Sequence, residues 1–176
     1  MADDFDRLQQ DATRGDTEAI DRLLARFLPR LHAYVRAHMG DHLRRREASV
    51  DIVQSVCREV LQERERFEFR GEGAFLSWIL TAAMNKLRER ARFFGRQRRD
   101  AAREQPLVDA TLYRGLSPSG EVMGQEEIER LEQALQQLPD DYREIVVLAK
   151  IVGMPHQDIA EHLGRTLPSV RNALGR

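Results

Sequence analysis

HQDIAEHLGRTLPSVRNALGR, residues 156–176, closes the sequence and reads as two short helices joined by a tight turn. Ile159, Ala160 and Leu163 place apolar groups on one face of a helix starting near Pro155. Gly164 can take the left-handed conformation that ends it, and Thr166 can cap the next helix. Pro168 falls in the first turn of that second helix, where a missing N–H costs little, and Val170, Ala173 and Leu174 supply its inner face. Ala160 suits a steep helix crossing, which leaves little room for a larger side chain. Arg165, Ser169, Arg171, Asn172 and Arg176 are left to point outward, and these groups hydrogen-bond phosphates and base edges in a major groove. The plainer alternative is an αα-hairpin packed on its own domain.

Composition narrows the classes around this motif. With 176 residues, 41% hydrophobic and 32% charged, the chain suffices for one or two small domains. No long apolar run or signal peptide is visible, so a cytoplasmic location without membrane attachment is the default expectation. Cys57 is the single cysteine, which excludes an intrachain disulfide and a multi-cysteine zinc site, and within an apolar helical stripe it reads as a small core residue. Five scattered histidines point to no metal, and nothing suggests a cofactor.

The net charge of −1 conceals segregation. From Lys86 to Arg103 eight basic residues stand against Glu89 and Asp100, whereas from Glu121 to Glu144 eight acids stand against Arg130 and Arg143. Local stripes, and not the sum, decide whether nucleic acid is a partner.

Apolar residues recur at three and four throughout, which predicts an all-α chain. Asp16 can cap a helix with the stripe Ile20, Leu23, Leu24, Phe27, Leu31, Tyr34 and Val35, kinked or divided at Pro29. Ser49 can cap a second, carrying Ile52, Val53, Val56, Cys57, Val60 and Leu61; a third runs from about Ala74 with Leu76, Ile79, Leu80, Ala83 and Leu87 inside. Residues 1–100 form a first bundle on this reading. Pro106, Gly115, Pro118 and Gly120 interrupt 101–124, the expected flexible linker. Within 125–176 follow a helix with Ile128, Leu131, Leu135 and Leu138, one begun by Pro139 and ended by Gly153, and the terminal pair: a second small helical domain. The sequence holds no glycine-rich phosphate loop, GxSxG elbow or HExxH, so an enzyme is not expected.

The stretch DIVQSVCREVLQERERFEFRGEGAFLSWILTAAMNKLRERAR (51–92), followed by LEQALQQLPDDYREIVVLAKIVGMPHQDIAEHLGRTLPSVRNALGR (131–176), resembles a bacterial RNA polymerase sigma factor of the extracytoplasmic-function (ECF) class. The likeness covers nearly the whole chain apart from the linker and the first fifteen or so residues. It implies a protein that binds core RNA polymerase and directs promoter-specific initiation of transcription, with no reaction of its own.

The resemblance also assigns residues. Asp51, Gln54, Ser55 and Arg58 would contact the β′ coiled coil of the polymerase, and Tyr142, Ile145, Val146 and Leu148 the β flap. Arg70, Gly71, Glu72 and Gly73 fall in the loop that captures a flipped base of the −10 element, and physically glycines let backbone approach a base whose edge needs polar partners. Asn85 and Lys86 would meet −10 bases and backbone, and Arg88, Arg92, Arg96 and Arg99 duplex phosphate. Arg165, Thr166, Ser169, Arg171, Asn172 and Arg176 would face the −35 element. The plainer alternatives are a solvated helix face for Asp51, Gln54, Ser55 and Arg58 and an ordinary interhelical loop for Arg70 to Gly73. Trp78 could stack on an unpaired base, but Ile79 and Leu80 beside it turn inward, which favours core packing.

Members of the class carry the recognition helix several residues further, whereas this sequence stops at Arg176 about two turns in. Such a helix has little intrinsic stability and must draw it from packing through Val170 and Leu174. The resemblance admits an anti-sigma factor as a further partner. Two alternatives fit parts of the pattern: a helix-turn-helix repressor or activator, which leaves the first bundle unexplained, and a sigma-like adaptor without promoter activity, which would suit a short reading helix.

Overall fold

The computed structural model describes residues 2–63, 71–96 and 125–175. Arg70, Arg99, Arg176 and the linker at 101–124 lie outside them. Every regular element among the described residues is helical. The order is α1 (Ala2–Thr13), α2 (Thr17–His38), α3 (Asp41–Arg44), α4 (Ser49–Gln62), α5 (Glu72–Arg96), α6 (Gln125–Gln137), α7 (Asp140–Val146), a π-wound turn (Val147–Ile151), α8 (His156–Leu163) and α9 (Leu167–Leu174).

Helix α2 is the axis of the fold. Asp16 caps it as its residue type suggests, accepting from the N–H groups of Glu18 at 2.9 Å and Ala19 at 3.4 Å. Pro29 lies inside it without dividing it. A proline within a helix costs about 3 kcal/mol. Phe27, Leu31 and Tyr34 on either side of it are buried in the same core, and full burial of a large apolar side chain contributes about 1.5–3 kcal/mol each. The two halves of the helix are therefore held in one line by what they cover.

Around α2 the expected stripes meet. Ile52, Val53, Val56 and Val60 of α4 and Phe75, Leu76, Ile79, Leu80, Ala83 and Leu87 of α5 join Ile20, Leu23, Leu24, Phe27 and Leu31 in one buried cluster. Helix α1, which the periodicity did not indicate, adds Phe5, whose ring meets Phe27 edge-on at 6.1 Å, while Phe27 lies 5.2 Å from Phe75.

Ser49 does not cap α4. Ala48 holds the cap position, and Ser49, one residue into the helix, turns its hydroxyl to His32 Nε2 at 3.2 Å. The serine gives one ring nitrogen of buried His32 a polar partner, where a buried polar atom left unpaired carries a desolvation cost. Trp78 is half-buried against the core, with its ring 6.1 Å from Phe75.

The second group of helices packs on the other side of α2. Pro139 is the N-cap of α7, which passes into the π turn; there the Val152 N–H reaches the Val147 carbonyl at 2.9 Å, five residues back. Gly153 then turns the chain at φ 71°, ending this helix where the sequence indicated. Tyr34, Val35 and Ala37 from α2, Met39 at its C-cap, and Leu135, Ile145, Val147, Leu148 and Val152 belong to the same continuous cluster as the first bundle.

Candidate nucleic-acid interface

Helix α5 begins at a glycine that only a permissive backbone allows. Gly71 sits at φ 101°, and its carbonyl accepts the Phe75 N–H at 3.1 Å. Glu72 follows, and its carboxylate is met by Arg26 at 3.1 Å and Arg30 at 3.5 Å, both from α2. These pairs tie the start of α5 to α2. At Gly73 a Cβ would stand 2.6 Å from Asp158 Oδ2 of α8, so that carboxylate would have to swing aside for any larger residue.

Further along, Asn85, Arg88, Arg92 and Arg96 are exposed. The spacing of 85, 88, 92 and 96 puts them on one helical face. Lys86 is turned away from that row. Its ammonium is held by Glu59 of α4 at 2.8 Å and Glu89 at 2.9 Å, and the Glu59 hydrogen bond, then that of Glu89, keep it above the usual lysine range. The row of three arginines suits phosphate, which needs charge and not sequence.

The terminal motif has the local structure its residues require. Gly164 adopts φ 62°, and the Arg165 N–H returns to the Ala160 carbonyl at 2.8 Å. The Thr166 side chain accepts from the Ser169 N–H at 3.4 Å, and Pro168 occupies the first turn of α9. Ile159, Ala160 and Val170 are buried, whereas Thr166, Ser169, Arg171 and Asn172 are exposed. Arg165 is also exposed but is engaged by Asp141 at 2.9 Å.

On α4, Asp51, Gln54 and Arg58 are exposed and Ser55 half-buried, a row on the side away from Ile52, Val53 and Val56. On α7 and the π turn the expected outward set divides. Ile145 and Leu148 are 1% and 0% exposed, and their burial in the core removes them from any surface. Tyr142, at 37% exposure, and half-buried Val146 remain available on that side.

Three polar connections between the helical groups escaped the reading of the sequence. Glu132 of α6, 2% exposed, takes a hydrogen bond from Arg36 Nε at 2.8 Å and pairs with Arg44 of α3. Glu144 of α7 accepts from the Tyr34 hydroxyl at 2.7 Å and faces His38 Nε2 at 2.7 Å. The other ring nitrogen of His38 lies 2.9 Å from the Tyr34 carbonyl. Burial pushes the Glu144 carboxyl up, but the hydrogen bond and charge of His38 and the Tyr34 hydroxyl outweigh it and leave it below its ordinary value. Burial, then the Glu144 charge, holds the Tyr34 phenol far above the usual tyrosine value. Ser77 of α5 and His162 of α8 meet at 2.5 Å, and burial holds that imidazole below its ordinary value against the pull of Glu144. The available signals were Arg36, set among the apolar positions of α2, and Glu132, set between Ile128 and Leu135 on the apolar face of α6.

Among the described residues no group of three His, Cys, Asp or Glu side chains could hold a metal ion, and no helix is long and apolar enough to cross a membrane.

A helix-turn-helix, an exposed basic row on a long helix and a two-part helical body define a DNA-binding transcription protein. Comparison with known proteins makes this specific. The family description "Sigma-70 region 2" matches residues 23–99 and "Sigma-70, region 4" matches 128–176. RNA polymerase sigma factor CarQ of Myxococcus xanthus is 30% identical over 150 residues, covering 82% of this chain and 76% of that one. ECF RNA polymerase sigma factor SigD of Mycobacterium tuberculosis is 28% identical over 175 residues, covering 98% and 79%. The structure of CnrH in complex with the cytosolic domain of CnrY aligns with a TM-score of 0.63 at 22% identity, covering 96% of this chain and 88% of that one. The chain belongs to the sigma-70 family, in its ECF class, and directs transcription initiation at promoters.

Proposed function

We propose that the chain works as a non-catalytic initiation factor whose two helical groups divide the task. Residues 1–100 hold core RNA polymerase and the opened −10 strand, residues 101–124 span, and residues 125–176 grip the −35 duplex. Asp51, Gln54, Ser55 and Arg58 on α4 contact the β′ coiled coil, and Tyr142 with Val146 the β flap. Melting is driven by binding energy for the unpaired strand, so no nucleotide is hydrolysed. An anti-sigma factor completes the set of partners; a relative, CnrH, is held in its solved structure by the cytosolic domain of a second protein.

The observation that carries this reading is the single helix α5. It places Gly71 and Gly73 at one end and exposed Asn85, Arg88, Arg92 and Arg96 along one face. A loop that lets backbone approach a base and a row that follows phosphates are thereby fixed in one frame. Mixing the purified chain with core polymerase tests it: a sigma factor starts transcripts at particular promoters, an adaptor binds without starting them, and a repressor ignores the polymerase.

Site variants refine the test. Asp51→Arg should weaken polymerase binding while leaving the melting temperature unchanged, since exposed substitutions change stability by less than about 0.5 kcal/mol. Gly71→Val should abolish open complexes and leave polymerase affinity within about twofold, roughly 0.4 kcal/mol. Arg88→Ala or Arg92→Ala should lower the salt slope of DNA binding by about one on every promoter. Arg171→Ala and Asn172→Ala should instead flatten the preference for a cognate −35 element, by roughly 1–3 kcal/mol for a bidentate contact. Equal weakening on matched and scrambled elements would reduce α9 to a phosphate clamp.

A further inference from the structure

The last turns of α5 leave a large apolar side chain in water. Phe93 is 51% exposed, the most of any large apolar group among the described residues. It stands between Arg92 and Arg96, at the far end of the row that begins with Asn85 and Arg88. The ring has no place in the core, because Phe94 occupies that side of the helix. Phe94 packs against the buried cluster, lies 5.6 Å from the Arg46 guanidinium, and meets the Phe93 ring edge-on at 5.2 Å. Phe93 is thus held outward on α5 by the residue that follows it.

Its surroundings say what covers it. Between Asn85 and Arg96 the helix carries one acid, Glu89, whose carboxylate is held by Lys86 at 2.9 Å. A ring rimmed by exposed guanidinium groups suits a polyanion that also offers an apolar spot, and duplex DNA supplies both. Its phosphates meet the arginines and carry no sequence information. A phenyl ring has neither donor nor acceptor, so among the base-edge groups of the groove that admits a helix it recognises the thymine C5-methyl. Phe93 is 20 positions beyond Gly73, about 30 Å along the helix, which spans about nine base pairs of duplex. In chain order this end of α5 leads toward residues 125–176, assigned to the −35 element, so the ring falls on duplex upstream of the −10 strand.

We propose that Phe93 reads a thymine methyl in the major groove of the promoter duplex upstream of the −10 element, adding one position of sequence preference to a row of arginines that supplies none. The inference rests on the reading of α5 as a promoter-binding helix. The expected effect is about fourfold in affinity, which converts to about 0.8 kcal/mol, the contribution of one buried methyl-sized group. Uracil is the discriminating base, since it lacks the methyl and keeps every hydrogen-bonding group of thymine.

The test uses holoenzyme made with the full chain or its Phe93→Ala variant, and a promoter that the holoenzyme selects from randomised DNA. Thymine is placed in turn at each of the ten or so positions upstream of the −10 element, on either strand, and each duplex is compared with deoxyuridine at the same place. At one position thymine should bind about fourfold tighter than uracil. Phe93→Ala should remove that difference by weakening the thymine duplex alone, with affinity for core polymerase changed less than twofold. Equal affinity for thymine and uracil at every position overturns the inference, as does a difference that survives in Phe93→Ala. Equal weakening of both duplexes would make the ring a wedge between base steps, and weakened core binding would make it a polymerase contact; either result also ends the methyl reading. The underlying reading is checked separately. If Arg88→Ala and Arg92→Ala leave the salt slope of promoter binding unaltered, α5 does not lie on the duplex, and the inference falls with it. If they lower the slope while Phe93→Ala changes nothing, only the role of Phe93 fails.

Discussion

Helix α2 and helix α9 are built by the same local rules and held by very different amounts of packing. Each starts at a side-chain cap, Asp16 or Thr166, and each contains a proline, Pro29 in the interior of α2 and Pro168 in the first turn of α9. Yet α2 runs 22 residues with buried groups along its length, whereas α9 has 8 residues and buries Val170 alone. Isolated helices below about 12–15 residues are marginal in water. The element that would enter the major groove therefore depends on a few contacts with α8 and α7, while the axis of the first group depends on many. The part proposed to read DNA is the part with the least packing of its own, and perturbations of equal chemical size should be read out at different places.

The largest effect is expected at the axis. Phe27→Ala removes a ring that touches both Phe5 and Phe75 and should cost about 3–5 kcal/mol, lowering the melting transition of the whole chain. A transition confined to the first group would show that the shared core couples the two halves less than its continuity implies. Val170→Ala comes next. Two buried methyl groups at about 0.8 kcal/mol each, with the cavity left behind, amount to about 2 kcal/mol. The loss should appear in hydrogen exchange of the α9 amides and in −35 preference, with α2 amides unchanged.

The caps sharpen the comparison at smaller scale. Asp16→Ala and Thr166→Ala should each cost about 1 kcal/mol. In α2 the loss should stay in the first turn, and in α9 it should raise exchange along the entire helix. Similar fraying in both would mean that α9 is more firmly packed than its length suggests.

The smallest effect is a pH slope. The folded-state value of His162 lies below its ordinary one, chiefly through burial, so its contribution to the packed form is present above about pH 6.5 and is lost as pH falls through the folded value. Glu144, also held low, contributes above its ordinary value near 4.5 and loses this only in stronger acid. Mild acidification between pH 7 and 5.5 should therefore loosen the contact through His162 first, seen as a rise in radius of gyration. His162→Gln should flatten that slope; an unaltered slope would place the titrating group elsewhere.

Much of the fold was legible because its determinants are near neighbours along the chain. The stripes of α2, α4 and α5, the caps at Asp16 and Thr166, and the left-handed turns at Gly153 and Gly164 depend on side chains within a few positions of one another. The exposed rows on α4 and α5 follow from the same periodicity, since positions opposite a buried stripe face outward. Helix α1 was missed because its one deeply buried aromatic, Phe5, gives too little pattern to recognise.

By itself the sequence determined that the chain is helical, where its longer helices start and stop, and which face of each is apolar, all properties of backbone geometry and local spacing. Only the tertiary structure decided that Glu72 serves Arg26 and Arg30, that Ser49 serves His32, and that Ile145 and Leu148 belong to the core and not to a partner's surface. It also decided the destination of Glu132, 96 residues from Arg36 and 88 from Arg44. The physical reason is that periodicity can place a charge on a buried face but carries no information about a partner distant in sequence. Glu132 sits four residues after Ile128 and three before Leu135, on the buried face of its helix, but nothing local names the two arginines that meet it there.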